Sequence, residues 1–325
     1  MRKNKTKFFI GLIVVLTVIS ASIFGGYIMI DKVLVPKYFS QYGINNLADL
    51  VDLVQTIYIV PDEKEFITNP FSEHDAAQAK DKLEKAGFPT LTGGEIDYEA
   101  IAEKNFTLTP DESFVDNFIM LSDREVAALA SDILASGILV SSFPDLSYID
   151  TLNMQIKQIT IIPNEETSVL NEYDEETLPE GSKLPLIKYT TQDTTLSITI
   201  KIDTKSARKQ ISENLDMPLF LIDWIIPDTL YVTSTIDTFI NPETGEREYK
   251  NASLAINSKT PKQSEVLLKL LISFIFTDTS FTIEQLANQL AALAIDGINV
   301  LGEVKFATLY NTSKAEISGI VLTIK

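Results

Sequence analysis

The segment from Phe8 to Ile30, FFIGLIVVLTVISASIFGGYIMI, constrains this chain more than any other, because it contains neither a charged residue nor a proline. A bilayer core of roughly 30 Å requires about 20 apolar residues in a helix. Four basic residues and no acidic one precede the segment, a bias that favours a cytoplasmic N-terminus. The sequence therefore predicts a single-pass cell-membrane protein with a basic cytoplasmic tail at 1–7, a transmembrane anchor at 8–30 and an extracytoplasmic remainder.

A cleaved signal peptide is the alternative interpretation of the same segment. Small residues at Ser20-Ala21-Ser22 resemble a cleavage site. The apolar run continues beyond them to Ile30, whereas the apolar core of a signal peptide usually spans only about 7–15 residues. The length favours an uncleaved anchor, and cleavage in part of the population stays open.

The charge balance excludes one class of partner. The chain has 27 basic and 45 acidic residues and a formal net charge of −18. Such a surface repels nucleic acid at long range, so we expect no nucleic-acid partner. The absence of cysteine excludes lipid attachment through a cysteine and leaves an exported domain without disulfides, which suits a bacterium.

Two regions follow the predicted anchor. Residues 31–120 have mostly helical patterns, including a polar helix for which Ser72 is a candidate cap, and we interpret them as a membrane-proximal segment. From residue 121 the patterns alternate between helix and strand. SDREVAALASDIL begins with Ser122 and Glu125 at capping-box spacing.

The region 121–325 is predicted to be an extracytoplasmic α+β domain. LNMQIKQITII changes the phase of its alternation, which predicts a bulge near Lys157–Gln158, and TLSITIKID alternates without a break. Two hairpins are expected, with turns at 241–246 and 311–314. Apolar helices after Thr260 and Thr282 separate these hairpins. The predicted fold class is thus a transmembrane helix, a mostly helical segment and a curved antiparallel sheet packed around apolar helices.

Catalytic motifs are scarce. The only histidine, His74, lies on the polar helix, and no G-x-S-x-G motif accompanies it. One histidine and no cysteine make a zinc site of the usual ligand types improbable, and Gly93-Gly94 lacks the residues of a phosphate-binding loop. We therefore lean towards a protein that is not an enzyme and expect neither a cofactor nor a metal.

Acidic residues are the remaining candidates for chemistry. Seven of them lie between Pro163 and Gly181, but the spacing of a calcium-binding loop is missing, which favours a solvated acidic loop. A carboxylate pair of the glycosidase type cannot be selected among 45 acidic residues. That hydrolase hypothesis stays open.

The order of elements from LSDREVAALASDIL onward resembles bacterial membrane-anchored proteins related to tubular lipid-binding (TULIP) domains. The resemblance is architectural, covers about Leu121–Lys325 and rests on no diagnostic motif. It implies a helix wrapped by a curved sheet and an apolar groove for acyl chains.

The resulting functional hypothesis is a non-catalytic, membrane-anchored extracytoplasmic binding protein that takes lipid or another apolar ligand. Burial of each methylene group gains roughly 0.8 kcal/mol, so acyl chains bind without polar contacts. The alternatives are an envelope structural or assembly protein that acts through protein–protein contacts and, less favoured, a carboxylate-dependent hydrolase. The apolar residues expected to line the groove are Ile198, Ile200, Leu267, Leu271, Phe274, Leu286 and Leu290.

Overall fold

A computed structural model of the chain describes most of the region from residue 26 to residue 324. The described residues are 26–40, 44–58, 63–103, 107–111, 117–136, 154–171, 185–205, 219–225, 227–257 and 297–324, with single residues at 178, 208, 209, 212, 288 and 295.

Short helices dominate the first part of the described chain. A π-helix at Ile30–Leu34 leads into α1 (Val35–Phe39), and α2 (Leu47–Tyr58), α3 (Glu63–Phe66), α4 (Glu73–Lys85) and α5 (Tyr98–Ala102) follow. Two longer helices begin with capping boxes. Ser72 caps α4 together with Asp75, and Ser122 caps α6 (Asp123–Ala135) together with Glu125. Both predicted caps are confirmed.

Nine strands form two antiparallel sheets among the described residues. The five-stranded sheet has the order β1-β9-β8-β4-β3, and the four-stranded sheet has the order β2-β5-β6-β7. The strands are β1 (Phe118–Ser122), β2 (Met154–Pro163), β3 (Val169–Leu170), β4 (Leu186–Thr191), β5 (Thr194–Asp203), β6 (Thr229–Ile240), β7 (Arg247–Ile256), β8 (Glu303–Tyr310) and β9 (Glu316–Thr323). A short helix, α7 (Leu219–Ile225), lies between β5 and β6.

The local strand predictions hold. The register of β2 on β5 shifts between Ile156 and Gln158, where the phase change predicted a bulge. Hairpins join β6 to β7 and β8 to β9 at the predicted turns, closed by hydrogen bonds from Asn241 N to Glu246 O and from Asn311 N to Ala315 O. The turn residues therefore fixed these connections as expected.

One hydrophobic core joins the two sheets to the helices. It combines apolar side chains of β2, β5 and β6 with those of β1, β8 and β9, and α6 contributes its buried face. The same core includes Leu83 of α4, Phe88 of the following loop and Ile101 of α5. The helices of residues 73–102 thus share their interior with the sheets.

The predicted α+β class with antiparallel strands is confirmed, but the predicted N-terminal transmembrane helix is contradicted. Among the described residues, no helix is long and apolar enough to cross a membrane. The described helical residues begin at residue 26 and include the charged residues Asp31 and Lys32. These two side chains pair with each other, and Asp31 accepts a hydrogen bond from Leu47 N. Residues 8–25 of the predicted anchor lie outside the described residues.

The second correction concerns the sheet. In the described part of the chain, the strands form two sheets of five and four strands and not one curved sheet. Alternation predicts which residues face inward, but it does not choose the partner of a strand, so the division was not visible in the sequence. The apolar helices expected after Thr260 and Thr282 lie almost entirely outside the described residues.

Candidate functional site

A cavity of about 700 Å³ lies where three segments meet. They are α4, the loop and short helix of residues 91–99, and the C-terminal end of α6. The volume falls within the range of small-ligand sites, roughly 300–1,000 Å³. Its lining residues are Lys80, Leu91, Glu95, Ile96, Asp97, Tyr98, Glu99, Asp132, Ala135 and Ser136.

A tight loop after α4 brings Glu95 to the cavity. The chain leaves the helix at Gly87, whose φ of +88° suits glycine, and a Cβ at this position would overlap the backbone of Thr109. Leu91 N then donates to Glu95 O at 2.7 Å, and Gly94 N donates to Leu91 O at 2.9 Å. These bonds close a small turn that presents Leu91 and Glu95 on the surface of the fold.

The next residues start α5. Asp97 caps this helix by accepting a hydrogen bond from Ala100 N at 3.0 Å. Ile96 and Ile101 on either side are buried in the core, so the position of Tyr98 between them is fixed. Tyr98 packs against the core cluster while it lines the cavity.

The third wall is the last turn of α6. Ile133 is buried, whereas Asp132, Ala135 and Ser136 are exposed towards the cavity. The apolar stripe of the helix therefore anchors the wall, and its polar side supplies a carboxylate.

Negative charge dominates the cavity. Four carboxylates line it and Lys80 is the single cation among the lining residues. Partial desolvation is the main cause that raises the pKa of Asp132. Lys80 opposes this increase, and the nearby Glu95 carboxylate adds a smaller one. Desolvation raises the pKa of Tyr98 as well, with a smaller effect from Asp132. Both pKa values are raised, and a positive charge bound nearby would lower them again.

The cavity offers groups that can bind an organic cation. No group of three or more histidine, cysteine, aspartate or glutamate side chains that could hold a metal occurs in the described part of the chain. Carboxylates and a tyrosine ring are groups that bind ammonium and guanidinium ions through charge and cation–π contacts.

The residues predicted from the sequence lie elsewhere. Ile198 and Ile200 are buried in the core cluster at 1% and 5% exposure. Leu267, Leu271, Phe274, Leu286 and Leu290 lie outside the described residues. His74 is exposed on α4. The described residues therefore do not bring the predicted groove together, and the groove stays a prediction.

Sequence reasoning missed the cavity residues because they come from three separate segments. Gly93-Gly94 lacks the pattern of a phosphate loop, but both glycines have positive φ, as a tight turn requires. Asp97 ahead of YEAIA is a readable cap signal. Nothing in the sequence connects either segment to Asp132.

Comparison of the chain with protein-family models, with curated proteins and with solved structures finds no match. The resemblance to tubular lipid-binding domains therefore gains no support, and the geometry of the cavity carries the functional argument.

Proposed function

We propose that this protein is a non-catalytic binding protein whose ligand is a small organic cation held in the cavity between α4, α5 and α6. The observation that carries the proposal is that four carboxylates and one lysine line a cavity of about 700 Å³. Partial desolvation is the main cause that raises the pKa of Asp132, and an ammonium group placed beside this carboxylate would favour its ionised form.

The test is calorimetric titration of the protein with spermidine at physiological ionic strength. We expect saturable binding that weakens roughly tenfold in each of two variants, Glu95→Gln and Asp132→Asn, because each loses one charge contact of about 1.4 kcal/mol. The matched control is Glu243→Gln, which neutralises an exposed glutamate in the β6–β7 turn. Equal affinity of all four proteins, or no binding, would overturn the proposal.

Acidity provides a second readout. Because the pKa of Asp132 lies above its usual value, this carboxylate gains its proton at a higher pH than an ordinary aspartate. As the pH is lowered, spermidine binding should therefore start to weaken at a higher pH than it would with an unperturbed aspartate. This part of the pH dependence should be missing in Asp132→Asn.

A carboxylate-dependent hydrolase is the second candidate. The raised pKa of Asp132 in an open cavity beside Glu95 is the observation that favours it, since such enzymes need one protonated and one ionised carboxyl group. The two functions separate by turnover. Hydrolysis of chromogenic glycosides that is lost in both Glu95→Gln and Asp132→Asn would favour the hydrolase over the binding protein.

A further inference from the structure

The edge strand β3 exposes apolar side chains on both of its faces. Val169 is 69% exposed and Leu170 is 73% exposed, the highest values for large apolar residues in the described part of the chain. Successive side chains of a strand point to opposite faces. Among the described residues, nothing covers either face of β3, although its sheet continues on one side through β4.

The backbone of Leu170 faces away from β4. Asn171 N donates to Lys188 O at 3.0 Å, and Leu170 is opposite Tyr189 in the register. Hydrogen-bonded and non-hydrogen-bonded pairs alternate in an antiparallel ladder. The Leu170–Tyr189 pair is consequently the non-hydrogen-bonded type, so the N–H and C=O of Leu170 point towards the outer side of the sheet.

The turn that precedes β3 is tied to the rest of the sheet. Thr167 and Thr191 share a hydroxyl hydrogen bond of 2.9 Å, and Asn164 N donates to Asp193 O at 2.9 Å. Tyr189 also donates its hydroxyl to Glu165 at 3.3 Å. These contacts hold the edge in an extended conformation before any partner arrives, which lowers the entropic cost of docking.

Charge decides the kind of partner. Glu165 and Glu166 are exposed in the turn next to β3, and the cation nearest along β4, Lys188, is paired with Glu316. The whole chain has a net charge of −18, so a second copy would meet electrostatic repulsion. A segment with basic residues would meet attraction instead.

We propose that β3 is a docking edge for an extended segment of another protein that alternates apolar and basic residues. The segment adds a strand to the five-stranded sheet by pairing with the N–H and C=O of Leu170. Because side chains alternate between the two faces of a strand, the apolar residues of the segment share one face and contact Leu170. Its basic residues lie on the opposite face, the side of Val169, and are attracted by Glu165 and Glu166. This interaction is independent of the cation-binding cavity.

The test uses an acetylated hexapeptide of alternating lysine and valine, titrated into the full chain and followed by amide NMR shifts. We expect saturable shifts of the amides of residues 165–171 and 188–191. Leu170→Pro removes an N–H that β4 does not use, so the protein should keep its melting temperature and lose at least tenfold in peptide affinity.

Two controls keep the result interpretable. Val169→Lys/Leu170→Lys retains every backbone group but repels the peptide, so it should weaken binding as well; Asp132→Asn should leave peptide binding unchanged. Unaltered affinity in Leu170→Pro, shifts located elsewhere, or a dimer of the protein alone in sedimentation experiments would overturn the proposal.

Discussion

The capping carboxylate of each long helix is paired with a cation from the other. Asp75, in the capping box of α4, accepts a hydrogen bond from Arg124 Nη2 of α6 at 2.7 Å. Glu125, in the capping box of α6, accepts one from Lys82 Nζ of α4 at 2.6 Å. Each carboxylate thus satisfies its own helix terminus and joins the two helices.

Lys82 should be far more important for stability than its neighbour Lys85. Glu125 is buried at 4% exposure, so Lys82→Met leaves a buried carboxylate without its cation and should cost roughly 3 kcal/mol in the free energy of unfolding. Lys85 pairs with Asp81 on the exposed side of α4, where water screens the pair, so Lys85→Met should cost much less. Urea denaturation of both variants measures the difference. Similar costs for the two substitutions would contradict this assignment.

Asp123 lies beside these pairs and makes stability depend on pH. It accepts a hydrogen bond from Asn69 Nδ2 at 2.7 Å. Desolvation is the main reason that its pKa rises to about 6, with the nearby Asp75 adding to the shift and Arg124 opposing it. Asn69 N in turn donates to Gln158 on β2 at 2.9 Å, so Asp123 titrates where the loop, α6 and the four-stranded sheet meet.

The sign of the effect follows from the direction of the shift. A carboxyl group whose pKa is raised in the folded state binds its proton more tightly there, so its contribution to stability falls as pH rises from about 4 to about 6. Asp123→Asn removes this contribution. The free energy of unfolding of the variant minus that of the wild type should be roughly 1–2 kcal/mol more favourable at pH 7 than at pH 4.5. A pKa shift of this size sets an upper limit of about 3 kcal/mol on this change. An identical difference at both pH values in urea denaturation would refute the prediction.

Among the elements, β2, β5 to β9 and the capped helices α4 and α6 follow from the sequence because their signals are local, whereas β1 and β4 were not predicted. A residue alternation, a capping pair or a turn dipeptide needs no knowledge of distant parts of the chain. The edge strand β3 is different, since Val169-Leu170 is too short to give a period. The pairing of β1 with β9 brings together residues about 200 positions apart, and no sequence pattern in either strand identifies the other as its partner.

Gly319 makes this pairing possible. It lies opposite Ser122 in the register of β9 on β1, and a Cβ added to it would overlap the carbonyl of Leu121. Gly319→Ala should therefore displace β1 and cost roughly 3 kcal/mol or more in stability. Gly245→Ala is the control, because the space around Gly245 is open and only its φ of +72° opposes alanine, at about 1 kcal/mol. Thermal unfolding compares the two, and an equally small loss in both would show that β1 adapts.

For the whole molecule, the sequence predicts which residues belong to the core, but it does not predict the candidate site. Ile198 and Ile200 were expected to face inward, and they do, but in the described structure they contact other core side chains. The cavity depends on the meeting of Lys80, Glu95 and Asp132, which packing of α4 and α6 against one core brings about. Such proximity is a property of the tertiary structure and leaves no mark in a single sequence.

One measurement decides whether this cavity binds a cation. In an amide NMR titration of the protein with spermidine, we expect saturable shifts at residues 91–99 and 132–136, with the amides of β3 unaffected. Shifts scattered over the acidic surface without saturation, or an absence of shifts in these two segments, would contradict a cation-binding cavity between α4, α5 and α6.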